Sequence, residues 1–256
     1  MIKLKTKEEI EIMREGGRRL AVILQKIAEA CKPGVMTGDL DKLAFKLIVE
    51  GGDRPSFLDY KPSNTKKGFP STLCVSINEE IVHGVPAINS KEIREGDIVG
   101  LDCGLIHKGM FLDHAITIGV GEISLEAKRL LQVTKEALSS GVKQARIGNK
   151  IGDIGSAVAK QAHDNGFGII QGLSGHGVGY AVHEDPYVPN EGRKGEGVVM
   201  EEGLVIAIEP MFSLGGGDIK LARDGFTFVT KDGSIAAQFE HTVAVTENGP
   251  EILTKV

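Results

Sequence analysis

The chain has 256 residues, a formal charge of −5 and 41% hydrophobic residues, enough apolar material for a substantial core in one domain or two. That charge gives no basis for nucleic-acid binding, and no apolar run approaches membrane-spanning length. Three scattered cysteines, Cys31, Cys74 and Cys103, argue against a disulfide scaffold or a thiolate metal site and for free thiols in a reducing compartment. With a charged N-terminus that has no signal-peptide core, the expectation is a soluble cytoplasmic protein.

In chain order, Thr6-Lys7-Glu8-Glu9 fits a capping box, and Ile10, Met13, Leu20, Leu24 and Ile27 then recur at helical spacing until Lys32-Pro33-Gly34. A second helix follows Thr37, with Leu40, Leu43, Ala44, Leu47 and Ile48 on its apolar side, and stops at Gly51-Gly52. Residues 54–69 show no period and read as a surface loop or flap. A short strand is expected over 73–77, then a loop over 78–86 that carries His83. Residues 98–105 and 111–118 read as paired strands joined at His107-Lys108-Gly109. Two further helices follow, one ending near Gly141 and one stopped by Asn165-Gly166. A strand-like stretch over 167–170, a glycine-rich histidine segment and the closing strands complete the chain.

Two stretches echo each other. Glu95-Gly96-Asp97-Ile98-Val99-Gly100-Leu101-Asp102 and Glu202-Gly203-Leu204-Val205-Ile206-Ala207-Ile208-Glu209 each read as a turn, an apolar strand and one acid at its end. Segments 33–40 and 146–154 form a weaker pair. The order of elements suggests one domain built by internal duplication, with halves of about 1–121 and 122–256 about a pseudo-two-fold axis.

Asp113 lies within the strand after Asp102, and Glu240 opens an apolar run near the end. Four carboxylates in apolar strands, without as many basic partners, are costly to bury unless cations satisfy them. His176 and His183 sit seven residues apart in a glycine-rich segment, and one imidazole added to the acids gives a mixed oxygen and nitrogen donor set. Such a set suits Mn(II), Fe(II), Co(II) or Zn(II), and two ions sharing carboxylates can activate one water, which points to a hydrolase. Taken singly each residue has a plainer reading: a strand-end acid is usually a turn or cap residue, and Glu240-His241 could be a surface pair. The ordered group Asp102, Asp113, His176, Glu209 and Glu240 is harder to explain away.

At these residues, and along essentially the whole chain, the sequence resembles the type I methionine aminopeptidases, minimal bacterial form, of the pita-bread metallopeptidase family. The resemblance implies an α+β pita-bread fold, with a central curved antiparallel sheet covered by helices. It implies two divalent ions, Fe(II), Mn(II) or Co(II) with Zn(II) also compatible. Asp102 would chelate one, His176 and Glu209 would complete the other, and Asp113 and Glu240 would bridge them. It implies hydrolysis of the N-terminal methionine of nascent proteins with a small second residue, by a hydroxide activated between the two ions. Glu209 would take up its proton, His183 would stabilise the oxyanion, and His83 would lie beside the scissile peptide. The methionine slot maps to Phe57, Tyr60, Phe69, Val182 and Phe226. A monomer that meets nascent chain ends through transient ribosome contact is the family expectation, with Lys66-Lys67 as a basic patch.

Several positions depart from the commonest bacterial pattern. The segment 61–68 is longer, Val182 and Phe226 replace larger aromatics, and His114-Ala115 follows the bridging acid. The spacing between His183, Glu209 and Glu240 favours type I over type II, and the start near the first helix argues against an added N-terminal domain. A proline-directed aminopeptidase or dipeptidase of the same fold, or a non-catalytic peptide-binding relative, is the alternative.

Overall fold

The computed structural model describes residues 2–61 and 67–256. Helix α1 (Lys7–Ala30) starts at the expected capping box: Thr6 Oγ1 accepts from the Glu9 amide at 3.2 Å, and the Thr6 amide donates to the Glu9 carboxylate at 2.8 Å. Helix α2 (Thr37–Glu50) follows, then short strands β1 (Arg54–Pro55), β2 (Leu73–Ile77) and β3 (Glu80–Val82). Strands β4 (Ile98–His107) and β5 (Met110–Gly119) form a long hairpin. Helices α3 (Leu125–Val142) and α4 (Ile151–Asn165) make a second pair, and Gly166 closes α4 in the left-handed region at φ 73°. The remaining strands are β6 (Gly168–Ile169), β7 (Ser174–Gly177), β8 (Glu184–Pro189), β9 (Val205–Ile208) and β10 (Met211–Ser213). They are followed by β11 (Ile219–Leu221), β12 (Phe228–Thr230), β13 (Ala236–Gln238), β14 (Glu240–Thr246) and β15 (Gly249–Ile252).

Among the described residues, nine strands form one curved antiparallel sheet in the order β1-β4-β5-β14-β9-β7-β8, with β2 on β4 and β15 on β14. Strand β14 is therefore the seam. It pairs β5 on one side, through Glu240 with Ala115, and β9 on the other, through His241 with Ile208. Alternation along β4 puts Val99, Leu101, Cys103 and Leu105 into the core shared with α1 and α2, so that Asp102 faces the other way. Along β14, Val243 and Val245 join the core beneath α3 and α4, which leaves Glu240 and Thr242 on the opposite face. The pleat thus aims the acids at one surface while their apolar neighbours hold the helices.

Three local expectations are corrected. Asp102 lies inside β4 rather than at a strand end, because β4 and β5 stay paired down to a two-residue turn at Lys108-Gly109. Residues 54–69 are not simply a surface loop: Arg54 and Pro55 pair with β4, and Phe57 and Phe69 are buried. The 62–66 part, including Lys66, lies outside the described residues. The loop over 78–86 contains β3, which pairs with the distant β12, a partner that local pattern cannot announce.

The same backbone device occurs twice. Gly34 (φ 87°) donates to the Ile93 carbonyl at 2.8 Å, and Gly148 (φ 85°) donates to the Met200 carbonyl at 3.0 Å. Isolated bridges Met36 with Glu92 and Lys150 with Val199 then lead into α2 and α4. The turn glycines of the echoed stretches, Gly96 (φ 90°) and Gly203 (φ 88°), both take a positive φ.

The chain ahead of α1 is tied to the segment that bears His183. Lys5 donates its amide to the Gly203 carbonyl at 2.7 Å, and the ammonium of its side chain, which is 1% exposed, pairs with the Glu184 carboxylate beside His183. Lys5→Met leaves that largely buried carboxylate without its counter-charge, and urea unfolding is expected to show a loss of about 3 kcal/mol. An unchanged midpoint would mean that Glu184 is served by solvent instead.

Candidate metal centre and substrate cleft

The sheet brings Asp102 of β4, Asp113 of β5, His176 of β7, Glu209 just after β9 and Glu240 of β14 to one cleft of about 360 Å³. One ligand atom from each of Asp113, His176 and Glu240 lies within 4.8 Å of the others. His176 Nε2 stands 3.9 Å from Asp113 Oδ2 and 3.8 Å from Glu209 Oε1. Its Nδ1 donates to the Gly177 carbonyl at 2.9 Å, which fixes the ring proton there and leaves the Nε2 lone pair facing the acids.

Burial and mutual repulsion dominate the electrostatics. Asp102 is pushed up to about 7 by burial. Asp113, Glu209 and Glu240 rise well above the ordinary carboxylate range, from burial first and neighbouring carboxylates second. Burial also depresses His176 to about 3 and His83 to about 4, with His183 adding repulsion, so both imidazoles are neutral. Among the described residues, buried Asp102 Oδ1, Asp113 Oδ1 and Glu240 Oε1 have no hydrogen-bond partner. Folds rarely leave buried acceptors orphaned, and several pointed into one cleft with a neutral imidazole fit divalent cations.

The expected slot residues also come together. Phe57, Phe69 and Val182 form one buried cluster, with Tyr60 and Phe226 packed against it, and all five line the same cleft. Phe69 meets Phe226 edge to face at 5.7 Å between ring centres. Gly104 makes room for the wall, since a Cβ there would fall 2.7 Å from Phe57 Cε1. His83 is held at φ 59°, a conformation uncommon for a side-chain-bearing residue, with its ring against Phe69 and Phe228. His183 stands at the more open side, its ring 4.4 Å from that of His176.

Sequence reasoning missed the groups that orient the acids. Gln238 Nε2 donates to Glu209 Oε2 at 3.1 Å, which leaves Oε1 toward His176. Asn190 Nδ2 donates to the Glu209 carbonyl at 3.0 Å, and Thr242 Oγ1 both accepts from the Asp113 amide and donates to its carbonyl. The two-residue spacing of Gln238 and Glu240 was the one available signal for Gln238. His114 turns away from the cleft: its Nδ1 donates to the Glu240 carbonyl at 2.6 Å and its ring stacks on His241. Glu240 is thus 2% exposed and no surface acid.

The model of metallopeptidase family M24 matches residues 11–247. The chain belongs to this family. The M24 peptidase is 42% identical over 256 residues to the methionine aminopeptidase of Clostridium perfringens, with 100% of both chains covered. It is 46% identical to that of Aquifex aeolicus, over 100% of this chain and 99% of the relative. The crystal structure of the Thermotoga maritima methionine aminopeptidase matches at a TM-score of 0.95 and 41% identity, with 100% of each chain covered. A prolidase from Pyrococcus horikoshii shares the fold alone, at a TM-score of 0.79 and 23% identity, with 63% of its length covered. The peptidase therefore has the pita-bread fold, is homologous to bacterial type I methionine aminopeptidases, and is a metal-dependent aminopeptidase.

Proposed function

We propose that this M24 peptidase removes the N-terminal methionine from new polypeptides whose second residue is small. One arrangement carries the reading: the apolar slot of Phe57, Tyr60, Phe69, Val182 and Phe226 opens on the same cleft as the acids and His176. Asp102 would hold one divalent ion, His176 and Glu209 a second, with Asp113 and Glu240 between them. Fe(II), Mn(II) or Co(II) suits this donor set, with Zn(II) also compatible. When bound, the two ions supply Lewis-acid polarisation of the scissile carbonyl and an activated water.

The protein's own groups do the rest. The slot takes the methionine side chain and excludes water from it, where each methylene contributes about 1–3 kcal/mol of discrimination. Glu209, oriented by the Gln238 bond to its Oε2, takes up the proton of the attacking water and returns it to the leaving amine. His183 donates to the developing oxyanion, and His83 lines the cleft beside the scissile peptide. Small second residues are selected by the room left beside the acids.

The test is release of the first residue from peptides beginning Met-Ala, Met-Leu and Ala-Pro, using metal-stripped protein and anaerobic addition of Fe(II), Mn(II) or Co(II). Release from Met-Ala alone is expected. Release from Ala-Pro would move the function to the proline-directed relatives, and no release with metal bound would leave a peptide-binding protein.

We also infer an internal duplication with halves of about 1–121 and 122–256, supported by the paired devices at Gly34 and Gly148 and at Gly96 and Gly203. A monomer working in the cytoplasm on chain ends at the ribosome completes the proposal. Three buried free thiols support a reducing compartment, and no described helix is long and apolar enough to cross a membrane.

A further inference from the structure

We infer that the Tyr60 hydroxyl is a positioning group for His183, donating to Nδ1 of the imidazole and so keeping the ring proton on Nε2, the oxyanion donor of the function proposed above, on which this role rests. Tyr60 Oη lies 2.8 Å from His183 Nδ1, with the ring centres 5.3 Å apart. A neutral imidazole has one N–H and one lone pair, so the partner at one nitrogen decides the other. Burial raises the Tyr60 phenol above its ordinary range, which keeps the proton on the oxygen.

The neighbouring ring makes the contrast. His176 gives its Nδ1 proton to a carbonyl and presents a lone pair at Nε2, as a metal ligand must. His183, 4.4 Å away, has a hydroxyl at Nδ1, which can donate where a carbonyl cannot. A hydroxyl can accept as well as donate, and it is the oxyanion facing Nε2 that selects donation by Tyr60, so the two adjacent imidazoles take opposite tautomers, one to ligate and one to donate. With Nδ1 protonated instead, His183 would turn a lone pair toward the substrate oxygen and repel it.

The phenol is held firmly enough for this. Asp59 donates its amide to the Phe69 carbonyl at 2.8 Å, and Phe69 donates back to the Tyr60 carbonyl at 2.9 Å. Asp59 takes φ 63°, and a Cβ on Gly68 would fall 3.0 Å from its backbone. The ring of Tyr60 serves the slot while its hydroxyl serves His183, so one residue couples side-chain binding to the donor.

Those two roles separate in Tyr60→Phe, which keeps the ring. With metal-loaded enzyme and a Met-Ala peptide, kcat is expected to fall about tenfold, the loss of roughly one hydrogen bond, with KM changed by less than about twofold. Nitrogen-15 NMR of Zn(II)-loaded full-length protein should show His183 protonated at Nε2 in the wild type and as a tautomer mixture in Tyr60→Phe. An Nδ1-protonated His183 in the wild type, or a spectrum and kcat unchanged by Tyr60→Phe, overturns the inference. His183→Ala with full kcat would instead overturn the oxyanion role alone, since the NMR result judges the Tyr60 contact independently.

Discussion

Asp113→Asn is expected to melt higher than the wild type when both are metal-free at pH 8, yet to lose at least about a thousandfold in kcat/KM when metal is supplied. The opposite signs have one cause. Asp113 is buried, its Oδ1 has no hydrogen-bond partner among the described residues, and the charges of Asp102 and Glu209 raise its pKa further beyond the effect of burial. Asparagine carries neither a buried charge nor the cost of protonating one in the metal-free fold, and the amide gives neighbouring carboxylates a donor. The same change removes the carboxylate placed between the two proposed ions. Thermal melting after chelation and peptide hydrolysis after metal titration measure the two effects. A lower metal-free melting temperature would show that the fold itself satisfies Asp113, and the metal-centre reading would fail.

Metal-free wild type is expected to lose stability as pH rises from about 7 to 8, and added divalent metal is expected to stabilise it more at pH 8 than at pH 7. The carboxylates have folded pKa values raised above their unfolded values of about 4, so in this window the folded state holds more protons than the unfolded one. Their stabilising contribution is complete below the unfolded values and is lost as pH rises through the folded ones, about 7 for Asp102. Histidines act oppositely but lower down. His83, His114, His176, His183 and His241 are all depressed, so their contribution is lost as pH falls below about 6.5. Above about pH 7 the unfolded histidines are mostly deprotonated and their opposing contribution is small, so the acids dominate the window, and staying below pH 8 keeps the buried thiols mostly protonated in both states. Denaturant unfolding at three pH values with and without Mn(II) reads the effect. A metal-free stability that rises across this window would contradict the electrostatics of the cleft.

Much of this protein was legible in its sequence because the deciding physics was local. The capping box at Thr6 and Glu9, the helical spacing along α1 and the glycine stop after Asn165 each involve residues within a turn or two of one another. The acid strands were legible for the same reason: Val99, Leu101 and Cys103 alternate with Asp102, and Val243 and Val245 mark the buried side of β14. Even the candidate ligand set was readable, since four carboxylates in apolar strands call for cations wherever they meet.

That they do meet was decided by the tertiary structure. Strand β14 must cross to β5 on one edge and β9 on the other before Glu240 faces Asp113 and His176, and such pairing depends on contacts far apart in sequence. The cleft wall was reached only through the family resemblance and not through local pattern, because Phe57, Tyr60 and Phe69 sit in an aperiodic segment and pack against Val182 and Phe226 only in the fold. Tautomers lie further still from the sequence. Whether an imidazole ligates or donates is set by the single atom opposite its other nitrogen, a carbonyl for His176 and a hydroxyl for His183, and only the folded chain chooses that atom.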